Sequence, residues 1–251
     1  MTTGERTKSP LAMFVQDFHQ TGFGVIRRAI DAAAVTKLRG LLAQLLGALP
    51  PNGPSPLQRL LPNIVERDRC FADLASRPPL VETLREIFAV VPHLVCSYGH
   101  EKPPRTGAHT AAHSDVAHLP GVPHHQSLLM VKVMCALTPI RQGSGGTVVH
   151  PGSHRQDPTR ANADESAKAH YALLEPGDLL LFHANIRHTA TSNTSSDPRL
   201  SIWFVYALPW MRIFPGYEHS DEFLATIRPR LAREPHLRSI YGLEDPYATG
   251  S

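Results

Sequence analysis

From Pro92 onward the chain changes character, and that change limits what it can fold into. Upstream, apolar residues recur at helical spacing. Leu11, Phe14, Val15 and Phe18 form one stripe, and Val35, Leu38, Leu42 and Leu45 form a second behind the N-cap candidate Asp31. Gly22 to Arg28 reads as a strand between them, and a helical pair at 68–76 and 79–89 is broken by Pro78 and Pro79. Downstream, short apolar runs sit between turn residues. Candidate strands fall at 93–100, 109–115, 127–138, 145–150, 170–174, 178–183, 186–191 and 199–207. Such spacing suits a sandwich or jelly roll. The upstream helices are expected to brace its outside. Ser220 is expected to cap a last helix that buries Phe223, Leu224, Ile227 and Leu231 and leaves Arg228, Arg230 and Arg233 to solvent. Residues 1–9 are expected to be disordered and 48–58 to form a loop. No repeat or linker argues for a second unit, so one domain over 1–251 is expected.

Composition narrows the function classes. Hydrophobic residues make up 42% of the chain, enough for an ordinary core, and a net charge of +3 is too mild to argue for nucleic acid. No apolar run reaches membrane-spanning length, and the first residues lack an apolar signal core. Cys70, Cys96 and Cys135 form an odd set without paired spacing, which suggests a reducing, cytoplasmic setting with no disulfide framework. The 15 histidines are too many for abundance alone to indicate metal.

The chemistry gathers at His113-Ser114-Asp115. Side chains two apart on a strand share a face, so an imidazole and a carboxylate there can reach one ion. A third ligand must come from elsewhere. His183 and His188, both in the stretch that begins Gly177-Asp178, are available, and His188 is the better candidate. Two histidines and a carboxylate on one face of an octahedron form the facial triad of non-haem Fe(II) oxygenases. Zinc is the main competitor, but structural zinc prefers closed nitrogen and sulfur sites, and no cysteine lies near these residues in sequence. Arg199 and Ser201 share a face of a strongly apolar strand with Trp203 and Val205. A guanidinium on such a face needs a partner, and a fork plus a hydroxyl suits a remote carboxylate. Lys132 lies inside the apolar run Leu128 to Leu137.

Several of these stretches carry a resemblance. They are Gln20-Thr21-Gly22-Phe23-Gly24-Val25-Ile26, His113-Ser114-Asp115, Val131-Lys132-Val133-Met134, Gly145-Gly146-Thr147-Val148-Val149-His150-Pro151-Gly152-Ser153-His154, and Gly177-Asp178 through Arg199. In this order they resemble the phytanoyl-CoA dioxygenase-like family of Fe(II)/2-oxoglutarate oxygenases, over most of the chain. An isolated His-x-Asp is weak; the ordered set is specific.

The resemblance implies a mainly β fold, a double-stranded β-helix (jelly roll) braced by N-terminal and C-terminal α-helices. It implies Fe(II) held by His113, Asp115 and His188, because His188 lies eleven before Arg199, the family's spacing, and His183 does not. It implies 2-oxoglutarate as co-substrate, with its far carboxylate on Arg199 and Ser201. Lys132 matches a lysine common in one branch, with a role near co-substrate or substrate. The implied reaction is hydroxylation of an unactivated C–H of a small-molecule metabolite by O2, with release of succinate and CO2. Related halogenases have a small residue where this chain has Asp115, so the carboxylate favours hydroxylation; desaturation, ring closure and epoxidation stay open, because the metal centre is the same for each. Gly152 is expected to shape a turn at the barrel mouth and Asn193 to fix a loop. The chain departs from the family at Ala190, where a hydroxyl residue is common, although Thr189 and Thr191 flank it.

The substrate pocket is expected from Tyr98 to Ala112, from His118 to His125, and from Trp203 and Trp210. Those stretches carry His100, Lys102, Arg105, His109, His124 and His125, which are expected either to meet an anionic or polar small molecule or to be solvated. The alternative is a metal-binding jelly roll without oxygenase activity, such as a cupin-like isomerase or a sensor. Arg199 with Ser201 argues against it, because such proteins need no dicarboxylate receptor.

Overall fold

The computed structural model describes residues 8–49, 57–108, 111–116, 127–156 and 169–244. The expected disorder of 1–9 lies outside these residues except at 8 and 9. There Ser9 caps α1 (Pro10–Thr21), its hydroxyl accepting from Ala12 N at 3.2 Å. After β1 (Phe23–Ile26), Asp31 caps α2 (Ala32–Gly47) by accepting from Ala34 N at 2.8 Å. The predicted helical pair is α3 (Arg69–Ala75) and α4 (Pro78–Phe88). Pro78 does not break a helix but starts one, where its missing N–H costs nothing.

The remaining strands are β2 (Arg59–Pro62), β3 (His93–Lys102), β4 (Met130–Ala136), β5 (Thr147–Val149), β6 (His170–Tyr171), β7 (Leu179–His183), β8 (His188–Ala190) and β9 (Arg199–Ala207). They form two antiparallel sheets, one ordered β1-β7-β4-β9-β3-β2 and the other β6-β5-β8. Two short helices follow, α5 (Asp221–Ile227) and α6 (Leu237–Ile240). Helix accounts for 32% of the described residues and strand for 26%, so "mainly β" describes the core that carries the site rather than the whole fold.

Register explains the two cores. Tyr98, Trp203, Met134 and Leu180 face one another across β3, β9, β4 and β7, and they pack toward the small sheet with Val149, Ile140 and Phe182. The alternating row Phe204, Val133 and Leu181 points the other way, onto Phe18, Leu38, Leu42 and Phe71 of the helices. The large sheet is therefore covered on both faces, and all nine residues of β9 are buried. Such strands read as continuous apolar runs, not as alternation. At Gly99 the helical layer comes so close that a Cβ would lie 2.3 Å from Leu42 Cδ1.

Three expectations need correction. The edge strand β2 was not foreseen, since it follows a Pro/Gly/Ser-rich stretch and ends on a proline that only an edge tolerates. The strand expected at 109–115 does not form over its described part, where only His113 makes an isolated bridge. Arg230 is not solvated: it pairs with Asp73 at 2.8 Å and with Glu234 at 2.8 Å, joining α3 to the C-terminal segment.

Candidate metal centre

The site is built where β8 begins. His113 N donates to His188 O at 3.0 Å and His188 N donates to His113 O at 2.9 Å. The two residues are thus directly opposed, with their side chains on one face and their ring centroids 4.5 Å apart. The chain then turns, and Asp115 N donates to Ala184 O at 3.0 Å. The carboxylate joins the imidazoles through this turn, not through strand alternation. Ser114, between the two ligands, donates to Asn185 Oδ1 at 2.9 Å, and Asn185 Nδ2 donates to His154 O at 3.3 Å. The preceding turn is fixed as well: Arg187 N donates to Ser153 Oγ at 2.8 Å, and Gly152 N, at φ +80°, donates to Thr21 O at 2.7 Å.

The donor chemistry fits a divalent first-row metal. His113 Nδ1 lies 3.1 Å from Ala111 O, and His188 Nδ1 lies 3.0 Å from Ile186 O. A carbonyl only accepts, so each Nδ1 carries the proton and each Nε2 presents a lone pair. Those lone pairs sit 3.7 and 3.6 Å from the Asp115 oxygens. Among the described residues this is the one group of three or more such donors, with ligand atoms all within 4.8 Å of one another. Burial pushes His188 down to about 4, against the pull of Asp115, so its imidazole is neutral at physiological pH and free to donate a lone pair. Lone pairs converging on a carboxylate repel one another unless a cation sits between them.

Lys132 supplies one local counter-charge. Its Nζ lies 3.1 Å from Asp115 Oδ2 and over the rings of Phe182 and Trp203 at 5.7 and 5.4 Å. His113 and His188 open into a cavity of about 220 Å³, lined also by Tyr98, His100, Thr147, Thr189, Trp203 and Arg199. Arg199 is 2% exposed, and burial pushes it down to about 10, which leaves it charged at neutral pH. Nη2 donates to His100 Nδ1 at 2.9 Å, while Nε and Nη1 have no partner among the described residues. A buried guanidinium with two unpartnered nitrogens, on a residue that lines the cavity, is suited to receive an anion.

The family model for phytanoyl-CoA dioxygenase (PhyH) matches residues 18–201. The chain belongs to this family. Dioxygenase cdmD of Talaromyces verruculosus is 36% identical over 74 residues, 28% of this chain and 23% of the relative. Dioxygenase cdmA of the same organism is 42% identical over 67 residues, 27% of this chain and 22% of the relative. The matched stretches span less than a quarter of either relative. Among solved structures, EctD from S. alaskensis in its apo form aligns with a TM-score of 0.70 at 20% identity, covering 86% of this chain and 83% of that one. The non-heme alpha-ketoglutarate-dependent epimerase SnoN from nogalamycin biosynthesis aligns with a TM-score of 0.68 at 20% identity, covering 79% and 83%. HygX from Streptomyces hygroscopicus, with nickel, 2-oxoglutarate and hygromycin B bound, aligns with a TM-score of 0.66 at 19% identity, covering 83% and 92%. These likenesses establish that the fold is shared.

Within this phytanoyl-CoA dioxygenase-family fold, the structure brings together His113, Asp115, His188, Lys132 and Arg199. Ser201 is fully buried on the same strand face, and its hydroxyl accepts from Trp203 Nε1 at 3.0 Å. His183 lies apart from the donor group. Its Nδ1 accepts from Asn185 N at 3.0 Å, its ring packs 5.1 Å from His154, and burial pushes it down to about 3. Asn193 ties the turn before Arg199 to the end of β3: Nδ2 reaches Lys102 O, Pro103 O and Asp197 O, and Oδ1 accepts from Ser195 Oγ at 2.7 Å. Thr189 and Ala190 line the cavity, whereas Thr191 bonds to Gly146 O and the Tyr171 hydroxyl.

The expected pocket needs correction in part. Trp210 is 53% exposed and does not line the cavity. Lys102 is buried, its Nζ donating to Gly107 O at 2.8 Å, so it does not face a substrate. His100 faces Arg199. His109, His118, His124 and His125 lie outside the described residues. The sequence reading missed Asn185 and Gln58, because a lone amide in a loop carries no motif.

Proposed function

We propose that this chain is an Fe(II)- and 2-oxoglutarate-dependent dioxygenase that hydroxylates an unactivated C–H bond of a small-molecule metabolite. The observation that carries this reading is the convergence of the His113, Asp115 and His188 donors beside a cavity lined by both histidines and by Arg199, whose Nε and Nη1 have no hydrogen-bond partner among the described residues. The relatives that are dioxygenases and the neighbours solved with iron or nickel and 2-oxoglutarate support it. When bound, iron with 2-oxoglutarate and O2 supplies the oxidising power for C–H hydroxylation, with succinate and CO2 as co-products.

The protein's own residues do the rest. His113, Asp115 and His188 would hold the metal through nitrogens and oxygens whose orientation the Ala111 and Ile186 carbonyls and Lys132 fix. Arg199 would receive the far carboxylate of the co-substrate. Phe182, Trp203 and Met134 form the apolar side of the core next to the ligands and limit water there. SnoN is an epimerase and SnoK a carbocyclase. Asp115 keeps its carboxylate, which favours hydroxylation over halogenation; desaturation, ring closure and epoxidation use the same donor set and are separated from hydroxylation by the product's structure.

The test is a screen of small metabolites for stimulation of succinate formation from 2-oxoglutarate, with Fe(II) and O2 present. One compound that raises turnover and gains an oxygen atom supports the reading. Iron binding with no 2-oxoglutarate consumption, coupled or uncoupled, contradicts it.

A further inference from the structure

We propose that His100, held by Gln58, is the positioning residue for Arg199, and that this relay sets the affinity for the co-substrate's far carboxylate. The inference rests on the reading of Arg199 given above.

The direction of the hydrogen bonds is fixed by chemistry. Arg199 Nη2 lies 2.9 Å from His100 Nδ1, and a guanidinium nitrogen only donates. His100 Nδ1 must then be a lone pair, and its ring proton sits on Nε2. Nε2 lies 3.1 Å from Gln58 Oε1, an oxygen that only accepts. Donation therefore runs one way, from Arg199 to His100 to Gln58. His100 is 7% exposed and stands opposite Ser201 on β9, so its ring is held from the sheet side as well.

The choice of a neutral acceptor matters. A carboxylate in the place of His100 would neutralise the guanidinium and compete with an incoming anion. A neutral imidazole engages one nitrogen, fixes the plane of the fork and leaves the charge for the ligand. The two remaining nitrogens, Nε and Nη1, are the ones without partners among the described residues. Lys102, opposite Arg199 in the register, is turned away onto Gly107 O. Gln58 lies one residue before β2, whose Leu60 lines the same cavity. The relay thereby joins the clamp to the edge strand that walls the site.

The experiment measures 2-oxoglutarate binding by calorimetry on Ni(II)-loaded protein, with Arg199→Ala as the reference. His100→Leu should raise the dissociation constant about tenfold, the value of one lost charge-assisted contact. His100→Asn should stay within about threefold of wild type, because its amide oxygen replaces Nδ1 as the acceptor. Ni(II) affinity should not change in either. In turnover, the KM for 2-oxoglutarate should rise in His100→Leu while kcat stays near wild type. Nitrogen-15 NMR of the metal-free protein should show Nδ1 of His100 unprotonated and Nε2 protonated. If Arg199→Ala weakens binding but His100→Leu does not, or if His100→Asn weakens it as much as His100→Leu, the relay is wrong and the clamp stands. A proton found on Nδ1 also overturns the relay. Unchanged binding in Arg199→Ala removes the clamp itself.

Discussion

His113 and His188 face each other across an isolated antiparallel bridge, each donating its N–H to the other's carbonyl at 3.0 and 2.9 Å. The backbone thus sets the spacing of two metal donors before any metal arrives. Each ring is then fixed by a carbonyl two residues upstream. This arrangement separates ligands from look-alikes, which mutagenesis can test.

His188→Ala should abolish tight Fe(II) binding and turnover. His183→Ala should retain metal, because His183 bonds to Asn185 N rather than facing the donor group. Its cost should appear as stability, about 1–3 kcal/mol for an orphaned buried N–H. Metal titration and thermal melts of the two variants check this. Metal loss in His183→Ala with retention in His188→Ala would reverse the assignment.

Arg199→Ala should raise the 2-oxoglutarate dissociation constant by roughly ten- to a hundred-fold, the range expected for a charge-assisted bidentate contact. Fe(II) affinity should move much less. Arg199→Lys should recover only part of the loss, since an ammonium cannot make the planar two-point contact. Calorimetry with and without iron separates the two effects.

Asp178 is a staple, not a site residue. Its buried carboxylate accepts from Arg27 Nη1 at 2.7 Å, Arg28 N at 2.8 Å and Glu175 N at 2.9 Å, tying the end of β1 to the start of β7. Burial opposes its ionisation, but these bonds hold it below the usual carboxylate range. Asp178→Ala should destabilise the protein by about 2–4 kcal/mol, because two backbone N–H groups lose their acceptor. Denaturant unfolding would show this, with 2-oxoglutarate affinity of the folded fraction unchanged.

Acid should destabilise the metal-free protein well above the carboxylate range. Burial lowers His93, His154, His183, His188 and His219, with His183 pushed down to about 3 and His188 to about 4. Their folded values lie below the unfolded value of 6.5, so the unfolded chain binds more protons. Stability is therefore full above pH 6.5 and falls as pH drops toward 4. His183→Asn removes one such group and should flatten the slope by up to about 1.4 kcal/mol per pH unit. Denaturant titrations in steps across this window check the sign.

What the sequence made legible follows from physical range. Asp31 and Ser220 were readable as caps because a cap is a local contest between a side chain and four orphan N–H groups. His113, Asp115, His188 and Arg199 were readable because their order and spacing along the chain resemble one family. The strand around His113 was misread because its pairing is a single bridge, set by β8 seventy-odd residues away. Lys102 was expected to meet a substrate or to be solvated, and it does neither, because its burial onto Gly107 O depends on register with β9, which no local pattern encodes. Gln58 and Asn185 were invisible for the same reason: each acts through one long-range hydrogen bond.

The central claim is that the His113, Asp115 and His188 donors and the Arg199 clamp form one site for iron and 2-oxoglutarate. The most direct measurement is the anaerobic visible spectrum on adding Fe(II) and 2-oxoglutarate together. Wild type should develop a metal-to-ligand charge-transfer band that needs both additions, that is absent in Asp115→Ala and His188→Ala, and that requires more 2-oxoglutarate in Arg199→Ala. No band in wild type, or an undiminished band in Asp115→Ala, would contradict the account.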